Sequence, residues 1–320
     1  METNKLISWK LVEPILKWAI VIVSVCFLTY KLITFNQYNQ LFNQWKQMPL
    51  SQLWWLVIVV AIMPFNWILE AIKWEMLTHN IEKISLKNAI KAVLAGISTG
   101  FFTPNRVGEL VGRVLYMQTE NRKAGITLSL VNSLTQNLIM AIIGVPASLI
   151  YFYYNTNMLK FDYANFLFSL LAFIIIACIV YFYLPRIGVF FSQTNIADKI
   201  SGFTSCLSAY TTYDLSKIML ISLLRYAVFC TQFFLILRFF NVHLQLNDAL
   251  ISIPTYYLFI TFSPTFAFSE AALRSSYAVL FISSYSSEII NIALAGIFIW
   301  AVNFIIPMLA GTFVLIRSKS

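Results

Sequence analysis

Apolar runs long enough to cross a lipid bilayer recur from one end of this sequence to the other. Six stretches read as full spans, at about 14–34, 53–73, 126–153, 164–184, 218–239 and 290–316. Each has the roughly 20 apolar residues that a helix needs to cross the hydrocarbon core. Only a helix satisfies all of its own backbone hydrogen bonds in lipid, so the expected class is an all-α polytopic membrane protein. Charged residues make up 11% of the 320 positions, against roughly 25% in soluble domains. The longest polar stretch, about 188–217, is too short to bury a core of its own, so 1–320 reads as one membrane domain. The N-terminus lacks the short apolar core and small-residue cleavage site of a signal peptide, which makes 14–34 a retained first span.

Two more apolar segments, 86–118 and 247–284, are each interrupted by a polar stretch containing proline. Each reads as a re-entrant pair of half-helices, with a pair of short full spans as the alternative. Lys and Arg gather in alternate loops, beginning with Lys5, Lys10 and Lys17 and ending with Arg317 and Lys319. Basic loops stay in the cytoplasm, so both termini are expected inside the cytoplasmic membrane. The first broken segment then enters from the cytoplasm and the second from outside.

The broken segments resemble each other. Ile84-Ser-Leu-Lys-Asn-Ala-Ile90 matches Leu244-Gln-Leu-Asn-Asp-Ala-Leu250, and Thr103-Pro104 matches Ser263-Pro264 at the same separation of 160 residues. Past the prolines, Glu109 and Arg113 correspond to Glu270 and Arg274 after a one-residue insertion. With three spans in each half (about 10–160 and 161–320), the second copy is inverted relative to the first, a plan that many transporters share.

Chemistry concentrates in these copies. Pro104 lacks a backbone N–H and disfavours helix at Thr103, so it breaks the segment and can open the next helix with Thr103 as cap. Glu109 and Arg113, like Glu270 and Arg274, lie four apart on one helical face, in pairing range. Gly108 and Gly112 permit close approach of a helix or a lipid headgroup. The new helix N-terminus favours an anion, and Arg106 adds a charge with no evident partner. In the second copy, Phe266 stands near the place of Arg106 and the glycines are absent. The plainer alternatives are a solvated loop and a purely structural Glu–Arg staple.

Ionisable residues also occur inside full spans, where they are costly and normally face a partner or a cavity. Glu70 and Lys73 are one turn apart near the end of theirs; an interfacial pair with a snorkelling Lys73 and an anchoring Trp74 is the plainer alternative. Arg225 lies about two turns inside its span. Asn132 and Gln136 read as interhelical hydrogen-bond formers, as does Asn303.

The charge balance is +9, which needs no nucleic-acid partner because basic loops account for it, although surplus cations at membrane depth suit an anionic substrate. Cys26, Cys178, Cys206 and Cys230 are scattered, and His79 and His243 are the only imidazoles. No metal or other cofactor is expected. No phosphate-binding loop, nucleophile elbow or zinc motif occurs, so no enzyme is expected.

Asn66, Glu70 and Lys73-Trp74, followed by Thr103-Pro104-Asn-Arg106-Val-Gly108-Glu109, resemble the lysylphosphatidylglycerol synthase transmembrane-region family. That is the flippase-like domain of bacterial proteins that aminoacylate phosphatidylglycerol. Ser263-Pro264 with Glu270, and Pro307 with Gly311, fit its C-terminal half; Lys73 stands where the family often has Arg. The resemblance implies a lipid translocase that binds an anionic phospholipid headgroup in a midplane cavity. The substrate-binding set is then Glu70, Lys73, Thr103, Pro104, Arg106, Gly108, Glu109, Arg113, Arg225, Ser263, Pro264, Glu270 and Arg274. Two alternatives stay open: a non-transporting subunit presenting lipid to a separate glycosyl- or aminoacyl-transferase, and a small-solute transporter. The family's fused members carry a soluble aminoacyl-transfer domain after the membrane part; with this sequence stopping at Ser320, a stand-alone member is expected.

Overall fold

A computed structural model describes Phe42, Lys46 and residues 49–101, 103–155, 163–192, 205–264 and 267–318. The first expected span, 14–34, lies outside the described residues. Among those described, there is helix and no strand. The helices are α1 (Leu53–Thr78), α2 (Leu86–Phe101), α3 (Gly108–Val114), α4 (Arg122–Asn155), α5 (Tyr163–Phe182), α6 (Leu184–Ser192), α7 (Thr212–Phe239), α8 (Leu246–Phe262), α9 (Ala267–Ile282), α10 (Ile289–Trp300) and α11 (Ile306–Ser318).

Four continuous helical stretches are long and apolar enough to span a membrane: Leu50–Thr78, Thr119–Asn155, Thr212–Phe239 and Ile289–Arg317. The span expected at 164–184 corresponds to α5, and at its end the chain bends by 57° between Phe182 and Leu184 into α6. Pro185, second in α6, accounts for the break, because a proline fits the first turn of a new helix and not the interior of an old one. The span expected to begin at 218 begins at Thr212. A capping box starts it: the Asp214 backbone donates to Thr211 Oγ1 at 3.2 Å, and the Thr211 backbone donates to the Asp214 carboxylate at 3.0 Å. At the other end, Asn241 at φ 60° turns the chain out, with its N–H on Arg238 O and that of Val242 on Leu237 O.

The surface inverts the pattern of a soluble protein. Trp54, Phe65, Phe168 and Ile175 are exposed, whereas Glu70, Lys73, Arg113, Glu270 and Arg274 are buried. The polar stretch before α7 is not merely solvated either. Cys206, Leu207 and Tyr210 are buried, and Tyr210 Oη donates to Leu77 O. Burial pushes the Cys206 thiol up to about 11, which leaves it protonated and unreactive.

Both broken segments form antiparallel hairpins. In the first, α2 and α3 touch through glycines. A Cβ at Gly112 would strike Thr99 Oγ1, Ala95 O and Gly96 Cα, and one at Gly108 would strike Thr99 O. At 1.5 Å per residue, α3 is about 10 Å long, far short of a bilayer core of about 30 Å, and α2 reaches about 24 Å. By length this hairpin is re-entrant. In the second hairpin, α8 and α9 are each about 25 Å long, so the matched motifs sit on helices of unequal reach.

The helices pair in an exchanged fashion. The helix α2 lies against α11, where Gly311 meets Leu94 and the hydroxyls of Ser98 and Thr312 are 2.8 Å apart. Correspondingly, α8 lies against α4, where Gly144 meets Pro254 and Leu258. The helices α1 and α7 pair antiparallel between them, joined by Gln232 donating to Val59 O at 3.1 Å. Between α10 and α11 the last span passes through a π-helical segment, Ala301–Ile305.

Candidate functional site

Helical spacing gathers the first centre. Asn66, Glu70 and Lys73 follow one another by four and three residues, so all three project from one face of α1. That face meets α3, α4 and α7. Glu70, 1% exposed, accepts three hydrogen bonds and pairs with Lys73. Its Oε1 takes Arg113 Nη2 at 2.5 Å and Asn132 Nδ2 at 2.7 Å. Its Oε2 takes Arg225 Nη1 at 2.7 Å and Lys73 Nζ at 3.1 Å. Arg225 Nε also donates to Asn66 Oδ1 at 2.6 Å, and Lys73 Nζ donates to Ser222 Oγ at 3.2 Å. One carboxylate thus ties together three cations from three helices. Lys73 and Trp74 are fully buried, so the interfacial, snorkelling arrangement is corrected: the lysine points into the bundle because three helices offer it acceptors there.

The second centre is built on Glu270. Arg274, four residues on, donates to Oε1 from Nη2 at 2.9 Å and from Nε at 3.1 Å. Arg106, from the other hairpin, donates to both carboxylate oxygens, at 3.1 and 2.9 Å. The expectation that Arg106 lacks a partner is therefore corrected. Its partner lies 164 residues away, on the matched copy of the motif, and the contact joins the tips of the two hairpins. Phe304, presented by the π-helical segment, stands under both guanidinium groups, 3.5 Å from Arg106 Cζ and 4.8 Å from Arg274 Cζ.

Glu109 stands between the centres. It pairs with Arg113, which gives both expected Glu–Arg pairs, and it lines the same cavity as Arg106 and Glu270. Gly100, Thr103 and Phe304 complete that wall, with Ile97 and Phe101 as its apolar part. The cavity has room for about one water molecule.

The turn after Pro104 differs from the expected helix start. Thr103 is extended, Pro104–Arg106 form a 3-10 turn, and Asn105 and Arg106 both have left-handed backbone, at φ 49° and 58°. Such conformations cost a residue with a side chain of order 1 kcal/mol or more. This turn aims Arg106 at Glu270. Helix α3 opens only at Gly108, whose N–H is taken by Thr103 Oγ1 at 2.8 Å. Thr103 is thus a cap at a longer reach than expected, and Gly108 spends its N–H and its bare face inside the hairpin. Ser263 does not cap the following helix. Its hydroxyl donates back to Phe259 O at 2.8 Å and lies 2.7 Å from Tyr277 Oη. Pro264 ends α8, and Phe266 lies outside the described residues.

Asn132 and Gln136 do make interhelical hydrogen bonds, and those bonds end in the Glu70 centre. Phe304 had no signal in the sequence. Among the described residues, no three of His, Cys, Asp and Glu stand together as a metal site needs. What the two centres show is ion pairing between carboxylates and cations.

Comparison with curated proteins finds no match. The family model described as the lysylphosphatidylglycerol synthase TM region matches residues 15–311, and the chain belongs to that family.

Proposed function

We propose that this integral membrane protein, which its family links to lipid handling, is a non-enzymatic lipid translocase of the cytoplasmic membrane, with both termini in the cytoplasm. Its substrate is an anionic phospholipid whose headgroup binds between the two hairpins while the acyl chains stay in the bilayer. The two halves of the chain act as inverted repeats around that site.

One observation carries this reading. Five cations (Lys73, Arg106, Arg113, Arg225, Arg274) face three carboxylates (Glu70, Glu109, Glu270) in two neighbouring ion-pair clusters, one around Glu70 and one around Glu270, with Glu109 of the first lining the same cavity as Arg106 and Glu270 of the second. Excess buried charge is expensive in a low-dielectric interior. A headgroup anion relieves that excess. The cavity is too small for a headgroup while Arg106 stays on Glu270, so entry requires that contact to part. Arg106, 34% exposed at its side chain, is the group that an arriving phosphate meets first.

The test is flipping of a fluorescent anionic phospholipid in vesicles reconstituted with the purified chain. Wild type is expected to accelerate flipping, and Arg106→Ala to lower the rate about tenfold or more, since a charge-assisted bidentate contact is lost. Equal rates for the two proteins refute the proposal. A subunit that only presents lipid to a separate transferase binds the same lipid, depends on Arg106 in the same way, and gives no flipping.

A further inference from the structure

From the charge count of this site, and resting on its reading as a lipid headgroup site, we infer that the preferred ligand is a terminal phosphoryl dianion, a phosphomonoester rather than a phosphodiester.

Three observations converge. The first is stoichiometric. Around Glu70 stand Lys73, Arg113 and Arg225; around Glu270 stand Arg106 and Arg274; Glu109 completes the set. Among the described residues each of the two clusters has an excess of one positive charge, two in all, and they meet at the cavity that Glu109 lines with Arg106 and Glu270. A phosphodiester carries one negative charge and leaves half of that excess. A phosphomonoester carries about 1.5 to 2 at neutral pH and removes nearly all of it.

The second is the donor geometry. Arg113 uses Nη2 for both of its carboxylates, while its Nε and Nη1 are buried and have no acceptor among the described residues. A buried guanidinium edge without acceptors is costly, and a phosphoryl group with three unesterified oxygens is the acceptor that such an edge suits. Beside Arg113, the buried Trp74 Nε1 also has no acceptor among the described residues.

The third is size. The cavity has room for about one water molecule, and the apolar Ile97, Phe101 and Phe304 form much of its wall. A bare phosphoryl needs less opening than a phosphate esterified to a second alcohol. The aliphatic remainder meets apolar side chains.

The experiment titrates the purified full-length chain in neutral detergent with dioctanoyl phosphatidic acid, dioctanoyl phosphatidylglycerol and inorganic phosphate, with binding read by native mass spectrometry and by thermal stabilisation. The phosphomonoester lipid is expected to bind about tenfold or more tighter than the phosphodiester lipid, because one further charge is neutralised in the interior. Arg106→Gln should shrink that ratio toward one. Glu109→Gln, which raises the excess to three charges, should keep or enlarge it, and carries the test if Arg106→Gln does not fold.

If the phosphodiester lipid binds as tightly or tighter, and still depends on Arg106, the dianion inference is overturned while the translocase reading stands. If inorganic phosphate competes as well as the phosphomonoester lipid, the lipid is overturned as the carrier of the dianion. If neither lipid binds, both readings fall.

Discussion

Replacing Glu70 by Gln is the sharpest test of the buried charge network. The side chain keeps its volume and its hydrogen bond to Asn132, so packing is nearly unchanged. Among the described residues, Lys73 and Arg225 lose their only carboxylate partner and Arg113 keeps only Glu109. Lys73 is fully buried and Arg225 is 17% exposed at its side chain. Breaking a buried pair by removing one partner costs about 3–5 kcal/mol. That is roughly two to four powers of ten in the folded fraction, a large share of a total stability of about 5–15 kcal/mol. Lys73→Met in the same chain removes one stranded cation, and the double variant should recover roughly half of the loss. The assay is thermal unfolding in detergent, followed by loss of the monodisperse peak on fluorescence-detected gel filtration. Wild-type stability for Glu70→Gln, within about 0.5 kcal/mol, would show that these charges are hydrated. The argument from a buried excess would then fail.

Other expectations follow from the same contacts. Reversing one partner across the hairpins (Arg106→Glu) should abolish flipping, because it sets a second carboxylate against the buried Glu270. Adding Glu270→Arg should restore part of the flipping rate. Gly112→Ala drives a methyl into Thr99 and Ala95; it should cost about 1–3 kcal/mol of overpacking, seen as a lowered unfolding temperature. Thr103→Val removes the acceptor of the Gly108 N–H and should cost about 1 kcal/mol by the same measurement.

Local chemistry in the sequence was legible, and distant pairing was not. Glu109–Arg113 and Glu270–Arg274 could be read because a helix brings residues four apart onto one face, whatever surrounds it. The membrane class could be read because bilayer thickness sets the length of every span. By contrast, the bond from Arg106 to Glu270 depends on how the hairpins pack, which no local period encodes. Phe304 was hidden for a different reason: a π-helical turn changes which side of the helix a residue occupies, and hydrophobicity does not mark such a turn.

The last span serves two masters. Its first part, α10, seats Gly296 against Arg274, Ser275 and Ala278 of the second hairpin. Its last part, α11, seats Gly311 against Leu94 and Ser98 of the first. The wide turn at Ala301–Ile305 sets the phase between those two seats. Removing a single residue there would rotate one hairpin against the other by about 100°, pulling Arg106 and Glu270 out of line without touching either. The spare residue in that turn works as a splice that keeps two separately folded hooks facing each other.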